Sequence, residues 1–218
     1  MIERAHVIGS GRVGSAITAR LSERGVAVAE DDPDVVLLCV PDMAISDVSG
    51  CLTPGRAWVG HVSGATPLAA LEPHERRFCL HPLQTFDRSG DPTQFDGVWG
   101  AISGETLKAL AVARELAETL GLHPFELADG DRTLYHAGAV FASNYLVTLQ
   151  RAAIRLGVPA EGIVPLMRGT IDHGFELTGP IARGDWATVG AHQRAIQAKH
   201  PELEQLYETL AAATAAIA

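Results

Sequence analysis

The chain has 218 residues, of which 47% are hydrophobic and 20% charged, a balance typical of a globular protein that buries its own core. Its formal net charge of -9 argues against nucleic acid and membrane surfaces as partners, because both require clustered Lys and Arg. No apolar run approaches the roughly 20 residues of a membrane span, no signal-peptide pattern is visible, and the cysteines lack metal-type spacing, so we expect a cytoplasmic protein without a metal site.

In its first half the chain alternates strand-like and helix-like patterns. Ala5–Ile8 is a short apolar run typical of a buried strand, and Val13–Leu21 carries apolar residues at helical spacing before Gly25 ends the helix. The other predicted elements are a helix at Leu107–Leu120, which Gly121 closes, and strands at Val26–Ala29, Val35–Val40, Ala57–Val62, Arg77–Leu80, Val98–Ile102 and His123–Leu127. Strands that alternate with helices predict a mainly parallel α/β sheet.

The second half of the chain is patterned for helices only. The predicted helices are Arg132–Leu156, Glu161–Asp172, Trp186–Gln197 and Pro201–Ile217. Because the composition changes near Asp129, we place a domain boundary at residue 128. The chain is therefore predicted to form an α/β domain over residues 1–128 and an all-helical domain over residues 129–218.

A glycine-rich turn lies between the first predicted strand and the first predicted helix. Gly9, Ser10, Gly11, Arg12, Val13 and Gly14 fit the pattern glycine, any, glycine, any, any, glycine in the strand-to-helix context that the motif requires. In a dinucleotide-binding turn the first glycine permits the bend, the second leaves room for the pyrophosphate, and the third lets the helix pack on the strand. These six residues predict a site for NAD or NADP; the alternative is a tight connection that binds no nucleotide.

The segment after the second predicted strand is too short for an ordinary dinucleotide-binding domain. An acidic residue about 20 residues after the turn usually binds the ribose hydroxyls, and Glu30, Asp31 or Asp32 could do so or could form only a solvated loop. A parallel crossover needs about a dozen residues, more than the link from Ala29 to Val35 provides. We therefore expect that the second strand is not parallel or pairs in another way, and that the adenosine side of the site is reduced.

Four later segments occur together and in a fixed order. They are His61–Gly64, His81–Phe86, Tyr135–Tyr145 and Leu177–Asp185. This combination resembles the Rossmann-like proteins with a C-terminal domain of unknown function 2520, which are similar to pyrroline-5-carboxylate reductase, ketopantoate reductase and 6-phosphogluconate dehydrogenase. The resemblance covers nearly the whole chain.

The resemblance implies an oxidoreductase with two domains. The first would be a Rossmann-like domain that binds NAD or NADP, and the second a helical domain that completes a homodimer. A small-molecule substrate would bind between them. The sequence departs from the family around Glu30–Asp34, where relatives carry a longer strand–helix insert, so the choice between NAD and NADP stays open.

Reduction of a carbonyl or imine by a nicotinamide requires a proton donor near the reacting carbon. The resemblance implies a lysine donor on the first helix of the second domain, but this helix has none. His136 lies early on it, and an imidazole titrates near neutral pH. Ser143 lies two turns later on about the same face, with Asn144 beside it. These three residues are the catalytic candidates; the alternative for His136 is packing at a domain interface.

Several polar residues follow predicted strands, at the sheet edge where such folds bind ligands. Pro41, His61 and Ser63 are predicted to contact the cofactor. His81 and Gln84 are predicted to contact the substrate. Structural hydrogen bonding within loops is the alternative role for these side chains.

In the helical half, Thr178 and Arg183 belong to a polar turn ahead of a helix that Asp185 would cap. Arg183 could bind a substrate carboxylate through its forked donors or could pair with Asp185. We predict an NAD(P)-dependent oxidoreductase that reduces a small carboxylate-bearing carbonyl or imine, ketopantoate-like or pyrroline-carboxylate-like by analogy. The alternative is a non-catalytic nucleotide-binding or scaffold protein that has lost a complete cofactor pocket.

Overall fold

The computed structural model describes residues 1–218, which divide into two compact units, Met1–Ser143 and Asn144–Ala218. The division falls later than residue 128 because the helix that begins at Arg132 packs with the sheet through the buried Arg132 side chain. None of the helices combines the length and hydropathy that a bilayer crossing requires.

The first unit is built on one sheet of seven strands. These are β1 (Arg4–Ile8), β2 (Ala27–Val28), β3 (Val35–Leu38), β4 (Trp58–His61), β5 (Arg77–Pro82), β6 (Trp99–Gly104) and β7 (His123–Glu126). Their spatial order is β2-β1-β3-β4-β5-β6-β7, and only the β5–β6 pairing is antiparallel. The predicted mainly parallel α/β sheet is confirmed.

Helices cover both faces of this sheet. They are α1 (Arg12–Glu23), α2 (Ile45–Cys51), α3 (Leu107–Leu120) and α4 (Arg132–Ala142). Helices α1 and α3 bury their apolar stripes against one face, with Phe78 and Leu80 of β5, whereas α2 packs on the opposite face with Cys79. Alternating residues of one strand thus enter two separate cores, as expected for a sheet covered on both sides.

Strand β2 corrects the expectation for the short link after it. It pairs in parallel with β1, but only through the register Arg4 to Ala27 and Ala5 to Val28. Because β2 stops so early, six residues are enough to pass over β1 and enter β3 at the level of Ala5. The Arg4 guanidinium donates to the Asp31 carbonyl across this link, at 2.9 Å. No crossover helix is present between β2 and β3, so a parallel strand is compatible with the short link.

The long helix predicted over Arg132–Leu156 is wrong in one respect, because it is broken at Ser143. Its second part is α5 (Asn144–Arg155). Ser143 has φ -125° and ψ -66°, outside the helical region. Its hydroxyl donates back to the Ala139 carbonyl at 2.8 Å. Such a local side-chain bond competes with the main-chain hydrogen bonds of a helix.

The second unit is helical, as predicted. After α5 come α6 (Ala160–Asp172), α7 (Trp186–Lys199) and α8 (Glu204–Ala215). Asp185 caps α7 as expected, since its carboxylate accepts from the Thr188 amide at 3.1 Å. Within this unit the Tyr207 hydroxyl lies 2.9 Å from His192 Nδ1.

Candidate active site

The three glycines of the turn between β1 and α1 have different surroundings. Gly9 has φ +112°, and a Cβ there would lie 2.4 Å from the Cys39 carbonyl oxygen. A Cβ on Gly14 would lie 1.9 Å from the Gly9 carbonyl oxygen. A Cβ on Gly11 would meet no atom within 4 Å. Packing therefore explains Gly9 and Gly14, whereas Gly11 borders open space into which a ligand could fit.

The start of α1 has the features of an anion-binding site. Gly11 is its N-cap and supplies no side chain to the first-turn amides. Ser10, Gly11 and Arg12 are exposed, whereas Val13 packs partly against the core. Pro41 is exposed after β3, at the same sheet edge. Free amides and the positive end of the helix dipole favour a phosphate at such a position, so the residues present fit a dinucleotide pyrophosphate.

The three acids of the link after β2 can now be distinguished. Asp31 lies 3.5 Å from Arg4, and Asp32 accepts from Arg56 at 2.8 Å. Glu30 is 87% exposed and has only His6 nearby, at 3.9 Å. Asp31 and Asp32 thus stabilise the link, and Glu30 is the acid that remains available to a ribose.

His81, Tyr135 and His136 form one cluster, which we call the histidine cluster. His81 belongs to β5, and Tyr135 and His136 are neighbours on α4. The Tyr135 hydroxyl lies 2.9 Å from His81 Nδ1, and the His81 and His136 ring centroids are 6.1 Å apart at 87°. A Cβ on Gly64 would lie 2.7 Å from His136 Cδ2 and 2.9 Å from His81 Nε2. The two imidazoles therefore meet above Gly64, where only a glycine leaves space.

Arg132, the first residue of α4, has only 1% of its surface exposed. Its guanidinium donates to the Thr66 carbonyl at 2.8 Å, to the Ser103 hydroxyl at 3.0 Å, and to the Ser63 carbonyl. It also contacts the Cys79 sulfur at 2.8 Å. Arg132 thus ties α4 to the loop after β4 and to the strands β5 and β6.

Electrostatics and burial keep two histidines of this region neutral. Burial, the neighbouring His136 and the Arg132 charge together lower the pKa of His81 to about 4, against the smaller opposing effect of Asp42. Burial and then the Arg132 charge lower the pKa of His61 to about 3. Burial raises the pKa of Tyr135 to about 12, so its phenol is protonated at neutral pH.

The structure uses His61 and Ser63 within their own loop. His61 is fully buried, and its Nδ1 accepts from the Ser63 amide at 3.2 Å. The Ser63 hydroxyl accepts from the amides of Ala65 and Thr66. This is the alternative structural role foreseen for both residues, and their contact with a cofactor remains a prediction without support from this geometry.

The other candidates lie apart from the histidine cluster or in the other unit. Gln84 is exposed and bonds within its loop, to the Thr85 amide at 2.8 Å and the Gln94 carbonyl. Thr178 and Arg183 are exposed in the second unit, where hydrogen bonds from Thr188 and, to a smaller extent, the Arg183 charge lower the pKa of Asp185. Because α4 ends before Ser143, the helix face predicted to join His136 with Ser143 and Asn144 is not continuous.

Sequence reasoning assigned no role to Tyr135, Arg132 or Gly64. The first two contact residues more than fifty positions away, so no local pattern reveals their partners. The adjacent Tyr135–His136 pair was the one available signal, because it places two polar aromatic side chains together near the start of a predicted helix.

Comparison with known families and structures agrees with this description. The model of the family "Domain of unknown function (DUF2520)" matches residues 98–214, more than half of the chain, so the protein belongs to the DUF2520 family. A comparison with curated proteins finds no match.

Several solved structures share the fold. A provisionally assigned NADP oxidoreductase from Bacteroides fragilis is 20% identical with a TM-score of 0.82, and covers 98% of each chain. Protein TM1727 from Thermotoga maritima is 24% identical with a TM-score of 0.75, over 97% of this chain and 98% of its own. 1-Pyrroline-5-carboxylate reductase from Streptococcus pyogenes is 14% identical with a TM-score of 0.58, over 98% of each chain. The Rossmann-like fold with a helical C-terminal region is confirmed; the likeness to ketopantoate reductase and 6-phosphogluconate dehydrogenase remains a prediction.

Proposed function

We propose that this DUF2520 protein is an oxidoreductase that uses NAD or NADP to reduce a small carboxylate-bearing carbonyl or imine, ketopantoate-like or pyrroline-carboxylate-like. The observation that carries the proposal is the glycine turn, in which Gly9 and Gly14 are crowded by protein atoms but Gly11 faces open space. A glycine that packing does not require, at the end of β1 and the start of α1, leaves room for a pyrophosphate. The name of the Bacteroides fragilis neighbour supports the same class of cofactor.

In this proposal the residues of the two ends of the site have different tasks. The turn Gly9–Gly14 and Pro41 hold the cofactor, which supplies the hydride when it is bound. His136 gives a proton to the oxygen or nitrogen of the substrate. His81 binds the substrate beside it.

We further propose a homodimer in the cytoplasm, with a cofactor domain over residues 1–128 and a substrate and dimerisation domain over residues 129–218. Helix α5 supports the dimer, because none of its residues is buried and Leu146, Val147 and Ile154 are each at least 40% exposed. Light scattering at micromolar concentration should give twice the chain mass of 23.1 kDa. A mass of one chain would exclude the dimer.

The cofactor proposal is tested by titration with NADH and NADPH, followed by tryptophan fluorescence and by the melting temperature. Gly11→Ala should weaken binding about tenfold or more, because its Cβ enters the space of the pyrophosphate. It should leave the melting temperature of the free protein unchanged, since no atom lies within 4 Å of that Cβ. Gly50→Ala is the matched control, because its Cβ is equally free but lies in α2.

Absence of binding of either cofactor at millimolar concentration would overturn the oxidoreductase proposal and leave a non-catalytic scaffold. If a cofactor binds, small keto acids and cyclic imines are screened as substrates. His136→Ala should then abolish turnover and leave the cofactor affinity nearly unchanged. A variant that instead loses cofactor binding would give His136 a structural role.

A further inference from the structure

We propose that Tyr135 is a positioning residue that fixes His81 in one neutral tautomer, with the proton on Nε2. His81 then presents a neutral hydrogen-bond donor to the acceptor atom of the substrate, beside His136. This inference rests on the proposed function and divides the work between the two imidazoles: His136 transfers the proton, and His81 polarises the carbonyl or imine without changing its own charge.

The contact between Tyr135 and His81 is well defined. The phenol oxygen lies 2.9 Å from His81 Nδ1, and the rings meet edge to face with centroids 5.5 Å apart. Phe125 of β7 packs against Tyr135 on another side, with centroids 5.8 Å apart. Tyr135 is therefore held between Phe125 and His81, so its hydroxyl has a defined position relative to the imidazole.

The direction of the hydrogen bond follows from the partners at hand. The phenol is protonated, and its hydroxyl makes no hydrogen bond in the chain other than that to His81 Nδ1. If Nδ1 donated instead, the phenol proton would have no acceptor among the protein groups. The arrangement that satisfies both groups has the Tyr135 O–H donating to Nδ1, which places the imidazole proton on Nε2.

Burial is the main reason that His81 stays neutral in this position. His136 and Arg132 disfavour its protonation in the same direction as burial, and Asp42 is the acid that acts against them. A neutral imidazole whose tautomer is fixed by a partner is a hydrogen-bond donor at its free nitrogen. His81 Nε2 makes no hydrogen bond within the chain, so this donor remains available to a ligand.

Gly64 locates the donor. The Nε2 atom is on the side of Gly64, 2.9 Å from the point that a Cβ would occupy, and His136 Cδ2 is 2.7 Å from the same point. Because Gly64 has no side chain, the two rings can lie close together at the carboxyl end of β5. A substrate acceptor atom near His136 would thus also be near the Nε2 proton of His81.

The test is the histidine region of a long-range ¹H–¹⁵N spectrum of the uniformly labelled free protein at pH 7. Wild-type His81 should show an unprotonated Nδ1 and a protonated Nε2. Tyr135→Phe should shift the tautomer ratio about tenfold toward the other form, the factor that one ordinary hydrogen bond supplies. Tyr207→Phe is the matched control, because it removes the same 2.9 Å contact from His192 in the second unit and should leave His81 unchanged.

Two results would overturn the inference. One is a wild-type His81 that is doubly protonated at pH 7 or carries its single proton on Nδ1. This measurement uses the wild-type protein and so does not depend on whether a variant folds. The other is a Tyr135→Phe protein that melts as wild type and keeps the wild-type tautomer ratio. Failure of the proposed function is a separate outcome, because it is read from cofactor titration: a fixed tautomer in a protein that binds neither NADH nor NADPH would sustain the positioning role and refute the oxidoreductase.

Discussion

The buried guanidinium of Arg132 is predicted to be a main determinant of stability for the first unit. Arg132→Met keeps the length of the side chain but removes all of its donors. Two main-chain carbonyls, those of Ser63 and Thr66, then lose a charged donor. Each such loss corresponds to about 1–3 kcal/mol. Part of this loss is offset because the variant no longer has to bury a charge. That charge is poorly neutralised in the wild type, since the nearest carboxylate, that of Asp129, is 4.0 Å away.

We therefore expect Arg132→Met to lower the free energy of unfolding by about 3 kcal/mol, or the melting temperature by roughly 6–12 °C for a unit of this size. Urea unfolding is followed by fluorescence in a Trp186→Phe background, since Trp58 and Trp99 then report on the first unit alone. Arg114→Met is the matched control. It removes an exposed ion pair with Glu126, for which about 1 kcal/mol or less is expected.

Equal destabilisation by Arg132→Met and Arg114→Met would refute this reasoning, because it would mean that the four contacts of Arg132 contribute no more than one surface pair. The same variant has a second readout. The Arg132 charge lowers the pKa values of His81 and His61, so the pKa of His81 should rise in Arg132→Met. An unchanged value would show that burial and His136 alone account for the shift.

Three further predictions follow from the glycine turn, the acidic link and the buried imidazoles. Gly14→Ala should destabilise the first unit by more than 1 kcal/mol, since its Cβ would lie 1.9 Å from the Gly9 carbonyl oxygen; a melting temperature equal to that of Gly11→Ala would contradict this. Glu30→Gln should shift the ratio of NADH to NADPH affinity about tenfold toward NADPH, whereas Asp31→Asn, whose partner is Arg4, should leave the ratio unchanged; equal ratios in both would assign Glu30 to the solvated link. The folded pKa of His81, about 4, lies below its ordinary value of 6.5, so the unfolded chain binds the proton first as the pH falls. Urea unfolding at pH 7, 5.5 and 4 should therefore show a stability loss about 3 kcal/mol larger in the wild type than in His81→Gln, because His61 contributes to both profiles; equal profiles would mean that His81 protonates without penalty.

Local sequence patterns predicted most elements of the first unit, because the contacts that begin and end these elements are also between residues close in sequence. Helix α3 has the bounds predicted from its apolar spacing, its end at Gly121 with φ +91°, and a side-chain cap from Thr106. Helix α2 was missed because its seven residues carry too short a pattern to separate from a loop. The break at Ser143 was missed because the apolar spacing runs on through it, whereas the backbone does not.

The candidate site could be predicted only in part, for a related reason. His81 and His136 were found as single polar residues near the ends of predicted elements. Their contact depends on how α4 lies across the edge of β5, and Arg132 fixes that placement through the loop after β4. Such long-range contacts leave no periodic trace in the sequence. His61 shows the converse: a histidine at the end of a strand resembles a ligand contact, but its side chain is fully buried and accepts a hydrogen bond from the Ser63 amide.

The early end of β2 has a consequence for how a cofactor would be held. Residues 6–8 of β1 have no partner strand on the β2 side, and no crossover helix covers the link. His6 and Glu30 instead border a cavity of about 270 Å³. Because few groups are placed to hold an adenine, most of the affinity for the cofactor would come from the contact between the amides around Gly11 and the pyrophosphate. ADP should therefore displace NADH much better than AMP, by about tenfold or more, because AMP lacks the second phosphate. Equal displacement by AMP and ADP would show that the adenosine side is a complete pocket despite the short link.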